Sequence, residues 1–344
     1  MSNQKRNIIQ VDSASLQTPE WQIQLANSIK SPEALLDALN LPRTLLSKVD
    51  NAHNLFPLRV TQSYLDKIEK GNDRDPLLLQ ILPTLAETLK TDGYSADPVE
   101  DKQAEKTPGL LHKYYGRVLL TLTGACGIHC RYCFRRHFDY KSSNPSKQNW
   151  KDAVTYIKND SSIYEVIFSG GDPLSLPDHK LSKLISEIDT IPHIKFIRIH
   201  TRQISVLPAR VDNLLMKWIK NLRTKLIIVN HINHPNEIDR NLSEALATFK
   251  TANVELLNQS VLLRNINDHA DILSALSFKL LENGVTPYYL HLLDRAQGTA
   301  HFDVPEYEAI NIIENMRKKL PGYAVPKLVR EIAYEPYKQP IDTH

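Results

Sequence analysis

The sequence predicts an α/β protein, a partial (β/α)6, TIM-like barrel with an N-terminal helical region and a short C-terminal segment. Two observations carry that expectation. From Arg117 onward, six short apolar or β-branched runs alternate with segments of helical period, the pattern of parallel βαβ units. At or just behind the ends of successive runs come Cys126, Asp172, Arg202, His231, Gln259–Ser260 and Asp294. Loops at the C-terminal ends of parallel strands share one mouth in a barrel, so this placement favours a barrel over a doubly wound sheet.

The elements follow in order. Residues 1–105 read as helices separated by turns: Trp21, Leu25 and Ile29 recur at helical spacing, as do Leu65 and Ile68, and Ser31-Pro32 supplies an N-cap and first-turn pair for "SPEALLDAL". The polar, Pro/Gly-punctuated run "TDGYSADPVEDKQAEKTPG" (91–109) marks a boundary. The strand candidates are "RVLLTLT" (117–123), "YEVIFS" (164–169), "KFIRIHT" (195–201), "KLIIVN" (225–230), "VELLNQS" (254–260) and "PYYLHLL" (287–293). Amphipathic helices between them are marked by Trp150/Val154/Ile157, by Leu181/Leu184/Ile185/Ile188, by Leu242/Leu246/Phe249 and by Leu273/Leu276/Leu280. The expected organisation is a helical region at 1–105, a barrel core at 106–320 and a terminal segment at 321–344.

With 42% hydrophobic and 24% charged residues, the 344-residue chain can bury a sizeable core. The opening "MSNQKRNIIQVDSASLQ" has no apolar signal-peptide core. No apolar run approaches the roughly 20 residues of a membrane span. A cytoplasmic protein is expected, where thiols stay reduced and serve as ligands or nucleophiles. A net charge of +3 is too small to argue for nucleic acid, so neither nucleic acid nor membrane is expected as a partner.

All three cysteines, Cys126, Cys130 and Cys133, fall within "GACGIHCRYCFRRHF" (124–138), spaced C-x3-C-x2-C. Thiolates so close can wrap one face of an iron–sulfur cube, and three ligands leave one iron open for chemistry. The rival reading is a non-catalytic, zinc-binding interaction protein with a histidine as fourth ligand. His137 is the fairer candidate, because His129 adjoins Cys130 in sequence. Behind the second strand run, Ser169-Gly170-Gly171-Asp172-Pro173 reads either as a tight turn or as a cradle for an aminoacyl group.

In this position the cysteine motif resembles that of the radical S-adenosylmethionine (SAM) superfamily. The resemblance implies a 4Fe-4S cluster on Cys126, Cys130 and Cys133, whose open iron chelates S-adenosyl-L-methionine. It also implies that Gly170, Gly171 and Asp172 form the turn that receives the methionyl group. "CRYCFRRHF", "SGGDPL", "RIHTR", "NHINHPNE", "NQSVLLRNIND" and "PYYLHLLDRAQGTAHF" together resemble the lysine 2,3-aminomutase family from about residue 55 to the C-terminus. That family holds pyridoxal 5'-phosphate (PLP) on a lysine. Two compete here, Lys327 in "GYAVPKLVRE" and Lys338 in "EPYKQP", and family spacing points to Lys338. The run of glycines that precedes the family lysine is replaced by Ala333-Tyr334-Glu335-Pro336-Tyr337.

The same resemblance implies Arg117 and Arg202 as partners of the PLP phosphate and Arg135 as partner of the substrate carboxylate. It pairs Asp294 and Glu331 with the substrate ε-ammonium; Glu331 stands where the family has an aspartate. Two such acids select a basic side chain, because they are costly to bury without a cation. The implied reaction is isomerisation of (S)-α-lysine to (R)-β-lysine, begun by a 5′-deoxyadenosyl radical and dependent on an electron donor. Within the family the chain resembles the branch that serves translation elongation factor P, in which a synthetase-like ligase attaches β-lysine to the factor. It ends six residues after Lys338, whereas free-lysine aminomutases of lysine catabolism or osmolyte synthesis, the alternative, continue further.

Overall fold

The computed structural model describes residues 18–48, 50–140 and 150–341. The N-terminal stretch read for a signal peptide lies outside them. One sheet of ten strands runs in sequence order: β1 (Glu105–Thr107), β2 (Leu110–Tyr114), β3 (Arg117–Thr121), β4 (Glu165–Ser169), β5 (Phe196–Thr201), β6 (Lys225–His231), β7 (Val254–Val261), β8 (Thr286–His291), β9 (Lys327–Arg330) and β10 (Gln339–Pro340). Strands β3 to β9 are parallel. β2 and β1 extend one edge antiparallel, and β10 returns antiparallel to β9 at the other. The two edges do not pair, so the expected partial barrel forms and stays open.

The six expected strands are β3 to β8, within a residue or two of their expected ends. The four others were not foreseen from sequence. β2 turns into β3 through Tyr115–Gly116, with Gly116 at φ +73°, but "LLHKY" shows no sustained alternation. β9 and β10 are too short for periodicity to reveal.

Six crossover helices cover the outside: Lys151–Asn159, Asp178–Asp189, Asn213–Ile219, Arg240–Thr248, Ala270–Glu282 and Glu306–Arg317. The third and sixth were not anticipated. The third begins where the Asp212 carboxylate accepts from the Leu215 amide at 2.8 Å, an N-cap that satisfies a donor otherwise orphaned at the helix start.

Strand alternation decides what faces where. Val166, Phe168, Ile197, Ile199, Leu226, Ile228, Leu256, Leu290 and Leu328 point outward into a core shared with Leu181, Ile185, Leu242, Leu246, Leu273 and Ile312 of the helices. Each such side chain contributes about 1.5–3 kcal/mol on burial. The alternate positions, including Arg198, His200, His231, Gln259, Tyr289 and His291, line an interior cavity.

A second core in the N-terminal region gathers Trp21, Leu35, Leu36, Leu58, Tyr64, Leu65, Leu77 and Leu78, and it is closed by Ile128, Val206 and Leu207 from the barrel loops. Ser31 caps Pro32–Ala38 as expected, accepting from Ala34 N at 3.3 Å. Ile29 does not continue the helix Glu20–Ala26; it exchanges backbone hydrogen bonds with Val60 at 2.8 and 3.0 Å. No helix among the described residues is long and apolar enough to cross a membrane.

Candidate active site

One cavity of about 450 Å³ opens at the C-terminal ends of the strands. The candidate cluster, cofactor and substrate residues line it: the three cysteines, Gly170, Gly171, Asp172, Arg117, Arg135, Arg202, Asp294, Glu331 and both competing lysines, Lys327 and Lys338. Ser260 does not. Its side chain faces the helix layer, where its hydroxyl donates to Ile232 O at 2.7 Å, while its neighbour Gln259 faces the cavity. Period-2 alternation makes the two mutually exclusive.

The cysteine loop leaves β3 and is held from two sides. Arg131, fully buried, donates to Glu87 through Nε (2.9 Å) and to Phe56 O (2.6 Å). Arg136 donates to the same carboxylate at 2.6 Å. These two arginines anchor the loop on the N-terminal region rather than facing a ligand. From below, Gly171 N donates to Thr123 O (2.6 Å) and Asp172 N to Ala125 O (2.8 Å). A Cβ on Gly171 would lie 2.5 Å from Ala125 O, and Gly170 sits at φ +114° with backbone 3.0 Å from where its Cβ would be. The glycine pair is therefore required for two loop backbones to touch, and two of the turn's amides are occupied by loop carbonyls.

The Asp172 carboxylate accepts from Thr201 Oγ1 (2.8 and 2.9 Å), Arg202 N (2.7 Å), Gln203 N (2.8 Å) and Leu174 N (3.0 Å). Burial nevertheless raises it to about 6. It ties the β4 exit to the β5 exit. Burial also pushes the Cys126 thiol well up and Cys133 to about 11, with neighbouring anions adding to both, so these thiols need a metal or a cation before they ionise.

The donor set fits a cube better than a single ion. Among the described residues no three His, Cys, Asp or Glu side chains converge as a mononuclear site requires, whereas a cube takes each thiolate on a different iron. The two histidines weighed for zinc are engaged elsewhere. His129 contacts Pro57 O at 2.8 Å and stacks on Phe56, and His137 contacts Gln297 O at 3.1 Å.

Arg202 stands at this end of the cavity. It donates to Cys130 Sγ (2.9 Å), Gln80 Oε1 (2.7 Å) and Tyr132 OH, and pairs with Glu237 at 3.3 Å. Arg117 is elsewhere: its guanidinium lies 4.9 Å over the Tyr114 ring, and its Nε is buried without a partner. A buried guanidinium N–H with nothing to donate to is costly, and an anion such as a phosphate would satisfy it.

The other end is built by β2, β9 and the β8 exit. Lys338 donates to Glu331, and Lys113 lies 2.8 Å from Asp101 and 3.5 Å from Glu331. Arg135 reaches Asp101 (2.8 Å) and Ser169 Oγ (3.2 Å). Burial works to raise Glu331, but Lys338, Lys113 and Tyr114 hold it down to about 2. Burial raises Asp294 to about 7, against the opposing pull of Lys338. Lys338 also helps burial keep His200 and His291 neutral. β10 pairs Gln339 with Arg330, which sets Lys338 opposite the C-terminal end of β9, at the mouth. Lys327 begins β9, at its opposite end.

Sequence reasoning missed Asp101, Lys113, Arg198, His200 and His291. For two of them a signal existed: in "KFIRIHT", Arg198 and His200 alternate with isoleucines, so one strand face is polar. Asp101 comes from the run read as a boundary (91–109) and Lys113 from just beyond it, and neither carried one.

Comparison with known proteins places this geometry. Residues 120–272 match the Radical SAM superfamily. The chain is 48% identical to the L-lysine 2,3-aminomutase of Haemophilus influenzae, covering 92% of this chain and 94% of the relative. It is 46% identical to that of Escherichia coli K12, covering 95% and 97%. Against the enzyme of Clostridium subterminale, identity is 34%, over 90% of this chain and 74% of the longer relative.

Proposed function

The chain belongs to the L-lysine 2,3-aminomutase family of radical SAM isomerases, and on that premise we propose that it converts (S)-α-lysine to (R)-β-lysine, using a 4Fe-4S cluster, S-adenosyl-L-methionine and PLP. The observation that carries the reading is the shared cavity, with three thiols at one end and Lys338 among acids at the other. Cluster and S-adenosyl-L-methionine would supply a carbon-centred radical, and PLP an aldehyde to carry the migrating amine.

Cys126, Cys130 and Cys133 would hold the cluster, and the turn of Gly170, Gly171 and Asp172 shapes the floor beside it. Lys338 is the PLP lysine in this reading, favoured over Lys327 by its place at the strand C-termini. Arg117 would take the phosphate; Arg202, whose Nε is likewise buried without a partner, donates through its terminal nitrogens at the cysteine end. Arg135 would receive the substrate carboxylate. Asp294 and Glu331 already share the field of Lys338, and a substrate ε-ammonium is a cation of the same chemistry. The cavity walls would also shield a radical from quenching and hold the reacting carbon in place.

We place the chain in the elongation factor P branch, acting in the cytoplasm with a lysyl-ligase downstream and an electron donor upstream. Support comes from the resemblance of "GYAVPKLVRE" and "EPYKQP" to that branch rather than to the glycine-rich one. The test is incubation of iron- and PLP-loaded protein with α-lysine, dithionite and S-adenosyl-L-methionine, followed by chiral separation. (R)-β-lysine is the expected product; loaded protein that leaves α-lysine unchanged refutes the proposal. Adding the ligase and elongation factor P should then yield β-lysylated factor by mass spectrometry.

A further inference from the structure

We infer that Arg202 is a positioning residue for electron entry: its guanidinium on Cys130 Sγ, balanced by Glu237, sets the potential at which a cluster held by the three cysteines is reduced. The inference rests on the cluster reading above and gives Arg202 a role other than the phosphate partner that the resemblance implied.

The arrangement is buried and over-determined. Arg202 is 7% exposed, and Tyr64, Gln80, Tyr132 and Glu237 are 0–4% exposed. One terminal nitrogen donates to Cys130 Sγ at 2.9 Å; the other reaches Gln80 Oε1 (2.7 Å), Tyr64 OH (3.3 Å) and Glu237 Oε2 (3.3 Å). The guanidinium lies 5.6 Å from the ring centres of both Tyr64 and Tyr132. Its backbone is pinned by the bond from Arg202 N to Asp172. Glu237 is fixed in turn by Asn233 N at 2.9 Å and His234 N at 3.2 Å.

A guanidinium held this firmly is a fixed positive charge on one ligand sulfur. Reduction adds one electron, taken from a one-electron donor, and so adds one negative charge to the cluster and its thiolates. Hydrogen bonds to the sulfurs and nearby charge are the levers that tune such potentials. Arg202 favours the reduced form and Glu237 opposes it. Its position after β5 also explains why the arginine is tied to Asp172, which holds the loop beneath the cysteines.

The test is an EPR-monitored redox titration of the loaded enzyme with dithionite, preceded by iron and sulfide analysis, for wild type, Arg202→Lys, Arg202→Met and Glu237→Gln. Arg202→Met should lower the reduced-to-oxidised ratio about tenfold at fixed potential, a midpoint more negative by about 59 mV for one electron. Glu237→Gln should shift it the other way, and Arg202→Lys should restore most of the wild-type value. Opposite signs separate charge tuning from structural damage. Unmoved midpoints, or both variants moving together, overturn the inference while leaving the cluster reading intact. Should Arg202→Met load no iron, Glu237→Gln decides alone: a midpoint that does not rise overturns it. Wild type without iron would overturn the cluster reading itself.

Discussion

At the cysteine end of the cavity one arginine stands against the Cys130 sulfur and a single buried glutamate; at the lysine end Lys338, Lys113 and Arg135 stand among Glu331, Asp101 and Asp294. The first end is wired once, with each group fixed by several short contacts. The second is a network of shared partners, with Glu331 between Lys338 and Lys113 and Asp101 between Lys113 and Arg135. That difference suits a resident inorganic group at one end and a transient diamine at the other. Buried acids tolerate a transient ligand only if a cation is always present, because an uncompensated buried charge costs several kcal/mol.

Removing a cysteine should separate the ends most sharply. Cys133→Ser is expected to abolish turnover and lower the iron content while leaving the PLP absorbance unchanged; retained iron and activity would break the division. Lys338→Ala should do the reverse, with full iron, loss of the imine absorbance, and turnover down by at least about 10³-fold, or about 4 kcal/mol. Equal loss of iron in that variant would show that the two ends fold as one unit.

Asp294→Asn tests the lysine end more gently. Loss of one member of a buried charge pair costs about 2 kcal/mol or more, a rise of roughly 30-fold in KM for lysine, with cluster and PLP spectra intact. The pH dependence follows from the same group. Asp294 is raised to about 7, so it is protonated in the fold between its ordinary value and 7 and binds the ε-ammonium only above that. Lysine binding should weaken about tenfold per pH unit below about 7, and Asp294→Asn should flatten the slope. Glu331, held at about 2, stays charged across this window and contributes none of it. Because the raised group favours the folded state when protonated, its contribution to stability is present below the unfolded carboxylate pKa and lost as pH rises through about 7.

Ser260→Ala is the smallest change. The hydroxyl donates to Ile232 O outside the cavity, so stability should fall by about 1 kcal/mol with kcat unchanged in steady-state assays. A catalytic loss from this variant would contradict the facing of β7.

The barrel strands were legible because each is bounded and two-faced, with isoleucines or leucines on one side. The cysteine motif and the glycine turn were legible because close chemistry lies close in sequence. The turn's reason was not: Gly171 is glycine because Ala125 O lies where its Cβ would be, and that neighbour belongs to another loop. Arg131 and Arg136 flank the cysteines in sequence and are anchors on Glu87. Arg202 and Arg117, paired by resemblance, stand on different partners. β9 and β10 escaped notice because two to four residues carry no period.

By itself the sequence determined the strand–helix alternation and the local cysteine spacing, since these depend on residues a few positions apart. Tertiary structure decided which charges meet. Asp101 and Lys113 come from a segment more than 200 residues from that of Glu331 and Lys338, and the field each feels is a sum over neighbours that only the curved sheet brings within reach.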